Sequence, residues 1–264
     1  MTDIAGTVAT TLIVMIFAFL GVNTVQGVVK RRQLLAAMAA NRARFFRNGI
    51  VSVTCLLVAG SLAVALHPDL TAADVGWRLP EGNWSDYLYS GYVLVMLLAV
   101  YLRTRRGPLA PATAALLPRT TGERWLAGGM SVAFGVGEEF LYRGLFLAVG
   151  TELVGLPLSV AAILGWVFFV VAHAYQGWRG MIMVGVLGLI FTMLYLSSMS
   201  LLLPMVVHTL WDAVVLLAVR PRPAAVVETP AVVEEQAPVV VEAPVVVEAP
   251  AVIDRPRLRS AAPD

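Results

Sequence analysis

Apolar runs long enough to cross a lipid bilayer constrain the fold of this chain more than any other feature. The first run, residues 4–29, contains no charged side chain, and a membrane-spanning helix needs about 20 consecutive apolar residues. Hydrophobic residues make up 59% of the 264-residue chain, and charged residues make up only 14%. We therefore predict an all-α fold: a polytopic transmembrane helix bundle of about seven spans with a disordered C-terminal tail.

Charges between the apolar runs predict the orientation of the bundle. Residues 30–47 contain six basic and no acidic side chains, whereas residues 67–86 contain four acidic side chains and one arginine. Because cytoplasmic loops are rich in lysine and arginine, the first loop is expected inside and the second outside. The predicted spans are 4–29, 48–66, 87–102, 126–150, 157–173, 181–196 and 201–219, and residues 34–46 are expected to form a short surface helix.

This pattern places the amino end outside and the carboxyl end in the cytoplasm. We expect an integral, multi-pass protein of a bacterial plasma membrane, with the lipid bilayer as its first partner. No basic run with interleaved aromatic residues is present, so nucleic acid is not an expected partner. Cys55 is the only cysteine, which excludes an intrachain disulfide and a zinc site built from several thiolates.

The fourth span begins with a local signal and carries a stripe of small residues. Thr120 and Glu123 have the spacing of a capping box, in which each side chain bonds the other residue's backbone amide. Gly129, Ala133 and Gly137 then recur at every fourth position. Small residues at this spacing allow a neighbouring helix to approach closely.

Three charged residues, Glu138, Glu139 and Arg143, lie in the middle of this apolar span. A charge at the centre of a membrane helix costs roughly 2.5–3.5 kcal/mol on insertion scales. Glu139 and Arg143 are one helical turn apart and can pair, whereas Glu138 points away from that face. Either the whole cluster is a structural ion pair, or Glu139 and Arg143 support the helix while Glu138 faces a functional site.

Two later spans supply two histidines and a third carboxylate. His173 lies at the inner end of the fifth span, and His208 lies in the seventh span, with Asp212 one turn later on the same face. A single buried histidine is often satisfied by a backbone carbonyl. Two histidines together with two carboxylate-bearing segments favour a common pocket.

These residues form three motifs in order: Glu-Glu-x-x-x-Arg at 138–143, Phe-x-x-x-His at 169–173 and His-x-x-x-Asp at 208–212. The set resembles the CPBP family of intramembrane proteases, which includes the type II CAAX prenyl endopeptidases and bacteriocin-processing and immunity relatives. The resemblance covers about residues 120–219. It divides the chain into three N-terminal spans with basic cytoplasmic loops (1–119), a CPBP-like catalytic core of four spans (120–220) and a disordered Pro/Val/Glu-rich tail (221–264).

The resemblance implies hydrolysis of a peptide bond in a membrane-associated protein or peptide. Carried over by motif, Glu138 with His173 would activate a water molecule, and His208 with Asp212 would stabilise the oxyanion. Glu139 and Arg143 would give structural support. Many family members have Asn where this chain has Asp212, and an ionised Asp only accepts hydrogen bonds. Asp212 would therefore have to be protonated, or it would orient His208.

The residues leave the metal question open. Glu138, His173 and His208 are candidates for a two-His, one-carboxylate Zn²⁺ site, although the usual His-Glu-x-x-His motif is absent. The same side chains suit a metal-free glutamate protease. Two other functions compete with proteolysis: a non-catalytic membrane scaffold or bacteriocin-immunity protein, and a proton-coupled transporter, since transporters also use Glu, His and Asp in relays.

Overall fold

The computed structural model describes residues 2–80 and 111–218, with a few positions between 87 and 99. Every regular element in these residues is helical, and this part of the chain contains no β-strand. All described residues belong to one compact unit, Met1–Arg222. The all-α class is therefore confirmed for the described residues. Most of the predicted third span (87–102) and the predicted tail from residue 221 lie outside them.

The N-terminal helices differ from the predicted bounds. The described elements here are α1 (Thr2–Val29), α2 (Arg31–Ala40), α3 (Arg42–Leu66) and α4 (Pro111–Leu116). We predicted a surface helix at 34–46 and a span at 48–66. Instead, α2 ends at Ala40 and α3 already begins at Arg42, because Asn41 separates the two helices. The Asn41 side chain accepts a hydrogen bond from the Arg44 amide at 3.0 Å and caps α3.

The second half of the unit carries the predicted site. Its elements are α5 (Thr121–Glu139), π1 (Phe140–Leu145), α6 (Phe146–Ala148), π2 (Val149–Leu153), α7 (Leu158–Ala172), a 3₁₀ turn (Ala174–Gln176), α8 (Trp178–Ser198), α9 (Leu202–Ala213) and π3 (Val214–Ala218). Two π-helical stretches interrupt the α-helix that we expected through residue 150. Short π-helical segments are rare in proteins, but those that occur are frequently found at functional sites. Here π1 begins directly after the two glutamates.

Among the described residues, three helices are long and apolar enough to cross a membrane: Ile4–Val29, Arg42–Leu66 and Trp178–Ser198. Two shorter apolar helices, Leu158–Ala172 and Leu202–Ala218, lie at the predicted fifth and seventh spans. The chain is thus a membrane protein. The count of seven spans stays a prediction, since these findings rest on length and composition in the described residues.

The start of α5 has the predicted capping box. The Thr120 hydroxyl accepts a hydrogen bond from the Glu123 amide at 3.2 Å, and Glu123 Oε2 accepts from the Thr120 amide at 3.4 Å. The Arg119 amide also donates to Glu123 at 2.6 Å. This bond, helped by Arg42 at 3.6 Å, lowers the pKa of the Glu123 carboxyl. Arg42 therefore connects the first turn of α3 to the first turn of α5.

The segment after α3, which we expected to be an outer loop, packs against the bundle. Val75 is fully buried, and the Gly76 carbonyl accepts a hydrogen bond from the Leu201 amide at 3.0 Å. The Trp77 ring stacks on Phe140 with a centroid distance of 6.0 Å. The largest group of buried apolar residues surrounds π1 and includes Phe140 and Leu145. This non-helical segment therefore covers one end of the helix that carries the glutamates.

Glycines set how closely the neighbours of α5 approach it. A Cβ added at Gly137 would lie 2.5 Å from Val53 Cγ2 of α3. A Cβ at Gly135 would contact Thr209 Oγ1 and would lie 2.7 Å from the Thr209 backbone nitrogen of α9. The small-residue stripe predicted from the sequence thus faces α3 at Gly137, and Gly135 brings α9, which carries His208, against α5.

We expect Gly135→Ala to lower the melting temperature and the activity together. The new methyl group would meet the backbone of Thr209, which cannot rotate away, and overpacking of this kind costs about 1–3 kcal/mol. The matched control is Gly128→Ala on the same helix, where the nearest atom to an added Cβ is Leu217 Cδ1 at 3.8 Å, an ordinary contact. Thermal melts of the two variants in detergent check this prediction, and equal melting temperatures would contradict it.

Candidate active site

The two consecutive glutamates at the end of α5 occupy different environments. Successive residues of a helix point about 100° apart. The side chain of Glu139 is 0% exposed and lies inside the bundle, whereas that of Glu138 is 14% exposed. The separation of the two carboxylates therefore follows from their positions on the helix.

Glu139 joins its own helix to α9. One of its oxygens, Oε1, accepts a hydrogen bond from Arg143 Nη1 at 2.9 Å and another from His208 Nδ1 at 2.7 Å. The predicted Glu139–Arg143 pair is present. The bond to His208 was not predicted, and it gives Glu139 a second contact that fixes the histidine ring.

Arg143 extends the same network to α7 and α8. Its Nη2 donates to the Gly188 carbonyl at 2.9 Å, and its Nε lies 3.5 Å from Thr192 Oγ1. The guanidinium lies 4.3 Å from the ring centroid of Phe169 and 5.6 Å from that of Phe191. A buried arginine is stable only when its charge and its N–H groups have partners, and three neighbouring elements supply them.

Glu138 faces both histidines. Its Oε2 lies 3.9 Å from His173 Nε2 and 3.9 Å from His208 Nε2. These separations are too long for direct hydrogen bonds. His173 Nδ1 is 2.8 Å from the Phe169 carbonyl, which can only accept, so Nδ1 carries the proton and Nε2 is the atom directed at Glu138.

Two neighbouring residues, Glu139 and Phe191, hold the ring of His208. Nδ1 donates to Glu139, and the ring stacks on Phe191 with a centroid distance of 4.7 Å and an interplanar angle of 20°. Its Nε2 lies 3.7 Å from Asp212 Oδ2 and 3.9 Å from Glu138 Oε2. The orientation of this ring leaves Nε2 as the nitrogen that faces Glu138 and Asp212.

All six predicted residues therefore meet in one place. The side chains of Glu138, His173 and Asp212 are 14%, 15% and 27% exposed, whereas those of Glu139 and Arg143 are 0% and 2% exposed. Glu138, His173 and Asp212 are thus the more accessible members of the cluster, and Glu139 and Arg143 are its buried members.

The contribution of α8 was not predicted. Gly188 and Thr192 bind Arg143, and Phe191 stacks on His208, yet no residue of this helix was expected to take part in the site. The Thr192 hydroxyl also donates to the Gly188 carbonyl at 2.8 Å. One signal was present: Thr192 is a hydroxyl residue in an otherwise apolar stretch, at i+4 from a glycine.

The three zinc candidates, Glu138, His173 and His208, do not have the spacing of a tetrahedral site. Zn²⁺ with bonds of about 2.0–2.1 Å holds its ligand atoms about 3.3 Å apart, and the carboxylate-to-imidazole distances here are both 3.9 Å. In the part of the chain that the structure describes, no group of three or more His, Cys, Asp or Glu side chains is arranged to hold a metal ion. The residue types suit zinc, but as positioned the carboxylate and imidazole atoms lie farther apart than in a zinc site, and the proposed mechanism uses no metal.

A family model of known proteins matches part of this chain. No curated protein and no solved structure matches the chain. Residues 120–214, which contain all six site residues, match the family model of the Rce1-like type II CAAX prenyl endopeptidases. The match agrees with the resemblance that the three motifs carry, and this part of the chain is Rce1-like, similar to a family of CAAX-type proteases.

Proposed function

We propose that this protein is an intramembrane endopeptidase that hydrolyses a peptide bond in a membrane-associated protein or peptide, as CAAX-processing proteases do. The observation that carries the proposal is the position of Glu138 Oε2, which faces His173 Nε2 and His208 Nε2 at 3.9 Å each, with its side chain 14% exposed. Ionisable groups inside membrane helices are costly and are functional by default. The Rce1-like match over residues 120–214 supports the same reaction class.

Glu138 and His173 activate the water in this proposal. Two hydrogen bonds of about 2.8 Å to one water molecule bridge two acceptors that are 3.9 Å apart. Glu138 takes a proton from that water molecule as the water oxygen adds to the scissile carbonyl carbon. The proton then passes to the amine leaving group as the C–N bond breaks, which restores the carboxylate.

His208 stabilises the oxyanion through Nε2. Its Nδ1 already donates to Glu139, so donation from Nε2 as well requires the doubly protonated ring. The carboxylates of Glu139 and Asp212 beside the ring supply compensating negative charge. An ionised Asp212, whose Oδ2 lies 3.7 Å from Nε2, stabilises the positive charge of the ring without a direct hydrogen bond, and a protonated one adds a second donor to the oxyanion.

The reaction should not require an added metal. We expect turnover of the purified protein to be unchanged after treatment with EDTA or 1,10-phenanthroline, because Glu138 and His173 activate the water directly in this mechanism. Turnover before and after chelation, followed by addition of Zn²⁺, checks the expectation. Loss of activity that Zn²⁺ restores would establish a metalloprotease and would require the donor atoms to move closer together.

We also propose the orientation that the loop charges predict: amino end outside, carboxyl end cytoplasmic, in a bacterial plasma membrane. The test is labelling of single cysteines by an impermeant thiol reagent in a Cys55→Ala background. Arg44→Cys should be protected in intact cells and Glu152→Cys should be labelled, since both side chains are exposed. Arg42 is unsuitable because it is buried and paired with Glu123. Labelling of position 44 from outside would overturn the orientation.

The decisive experiment for the function uses the full chain in lipid vesicles. Membrane-anchored peptides with and without a prenyl group are incubated with the protein, and products are identified by mass spectrometry. Cleavage that depends on Glu138 supports the proposal. A folded protein that cleaves neither peptide, while a known intramembrane protease of this kind cleaves the prenylated one, would favour the scaffold or transporter instead.

A further inference from the structure

The turn that follows α7 determines where His173 lies. His173 is the first residue after the helix, and its Nδ1 is bonded to the Phe169 carbonyl one turn earlier. The chain then forms the 3₁₀ turn Ala174–Gln176 and reverses at Gly177, whose φ of +82° is the left-handed region that favours glycine. His173 is therefore held by α7 on one side and by this turn on the other.

An arginine from the N-terminal helices binds this turn. Arg31 Nε donates to the Tyr175 carbonyl at 2.7 Å, across 144 residues of sequence. The Arg31 guanidinium also lies against Gly177, where an added Cβ would be 3.2 Å from Arg31 Nη2. A charge-assisted hydrogen bond of this length is among the stronger ones in proteins, and it fixes the backbone two residues after His173.

The position of Arg31 follows from the break between α1 and α2. Lys30 has non-helical dihedral angles, φ −101° and ψ 23°, and separates the two helices, so Arg31 is the first residue of α2. Arg31 is half-buried against the turn, whereas its neighbour Arg32 is exposed. Two adjacent arginines at the same surface therefore differ in whether they contact the turn.

Tyr175 transmits the contact to the histidine. Its ring lies beside the His173 ring, with centroids 6.1 Å apart and an interplanar angle of 30°. Its Cβ also packs close to α1, 3.7 Å from where a Cβ of Gly27 would lie. A shift of the turn would thus move the ring whose Nε2 is 3.9 Å from Glu138.

We propose that Arg31 is a positioning residue for His173, which it holds toward Glu138 through the Tyr175 carbonyl. The effect of Arg31 on catalysis rests on the proposed function. It extends the site beyond residues 120–214, the part that matches the Rce1-like family. The N-terminal helices then contribute to the reaction as well as to anchoring the chain in the membrane.

The experiment compares Arg31→Gln with the matched control Arg32→Gln, which removes the same charge from the same surface. We expect Arg31→Gln to lower kcat about 10- to 100-fold with KM within about twofold, because a misplacement near 1 Å can cost about 10²-fold in rate. Arg32→Gln should keep wild-type kcat. Arg31→Lys, which keeps the charge and a donor, should recover part of the loss.

Hydrogen exchange on the same preparations gives a readout that does not depend on turnover. The Gln176 amide donates to the His173 carbonyl at 2.9 Å, and the Gly177 amide donates to the Ala174 carbonyl at 3.0 Å. Faster exchange of these amides in Arg31→Gln but not in Arg32→Gln is the expected result. Equal exchange, or equal kcat in both variants, would overturn the inference.

A Glu138→Gln arm separates this inference from the proposed function. If wild type and Glu138→Gln cleave equally, the proposed function fails, and the exchange data alone decide whether Arg31 holds the turn. If Arg31→Gln does not fold, Arg31→Lys takes its place. A folded Arg31→Lys protein with wild-type kcat and wild-type exchange would then overturn the inference, and reduced kcat with faster exchange would support it.

Discussion

Replacing Glu138 by glutamine should abolish turnover and leave the protein as stable as the wild type. The amide keeps the size of the side chain but cannot accept the proton of the attacking water, and general-base catalysis contributes about 10²–10⁴-fold to rates. Stability should hold because Glu138 lies 3.9 Å from each histidine and gives up no direct hydrogen bond to them. The measurements are single-turnover cleavage and a thermal melt on one preparation.

The matched control for this substitution is Glu152→Gln. Glu152 is an exposed glutamate in π2 that belongs to none of the three motifs, so the same chemical change there should leave both rate and melting temperature unaltered. Wild-type turnover in Glu138→Gln would remove Glu138 from the reaction. A large drop in its melting temperature would show that it is a structural group, and the roles of the two glutamates would then be reversed.

Features set by neighbouring residues were predictable from the sequence. The capping box at Thr120 depends on contacts within one turn, and the Glu139–Arg143 pair depends on helical spacing, so both follow from local geometry. The start of α3 is also determined by nearby residues, because Asn41 caps it. It was not predicted, because the arginines in the first turns interrupt the apolar pattern. The apolar length of the first and sixth spans likewise predicted helices, and α1 and α8 are found there.

Features set by packing between distant segments were not predictable in the same way. The Glu139–His208 bond joins residues 69 apart and depends on how closely α9 approaches α5 at Gly135. The π-helical segment that starts at Phe140 has no signal in the apolar pattern, since any apolar residue fits an α-helix there equally well. The burial of Val75, in the outer segment itself, could not be predicted without knowing that Leu201, in the turn before α9, and Tyr195 of α8 belong to the same core cluster.

The Glu139–Arg143 pair should behave as a coupled unit in a double-mutant cycle. Glu139→Gln leaves the Arg143 guanidinium buried without its counter-charge, and breaking a buried pair by removing one partner costs about 3–5 kcal/mol. Arg143→Met alone should also destabilise the protein, because the Glu139 carboxylate then loses the Arg143 charge and keeps only the hydrogen bond from His208. The double variant should be more stable than the sum of the two losses predicts, since neither charge remains unpaired.

The structure explains why the double variant can recover. With Arg143 gone, the Thr192 hydroxyl still donates to the Gly188 carbonyl at 2.8 Å, so these two groups keep a partner. The introduced amide oxygen at position 139 can still accept from His208 Nδ1, but without a negative charge beside the ring. Melting temperatures of the four proteins in one detergent measure the coupling, and strictly additive losses would show that the two residues do not act as a pair.

Turnover in the same four proteins shows whether Glu139 only stabilises the helix or also positions His208. If Glu139 only supported the helix, activity in the double variant would return in proportion to stability. The 2.7 Å bond from His208 Nδ1 to Glu139 predicts a different outcome, in which stability recovers and kcat stays low, because the doubly protonated ring has lost a carboxylate that stabilises it. Full recovery of kcat together with stability would confine Glu139 to a structural role and would leave Asp212 to orient His208.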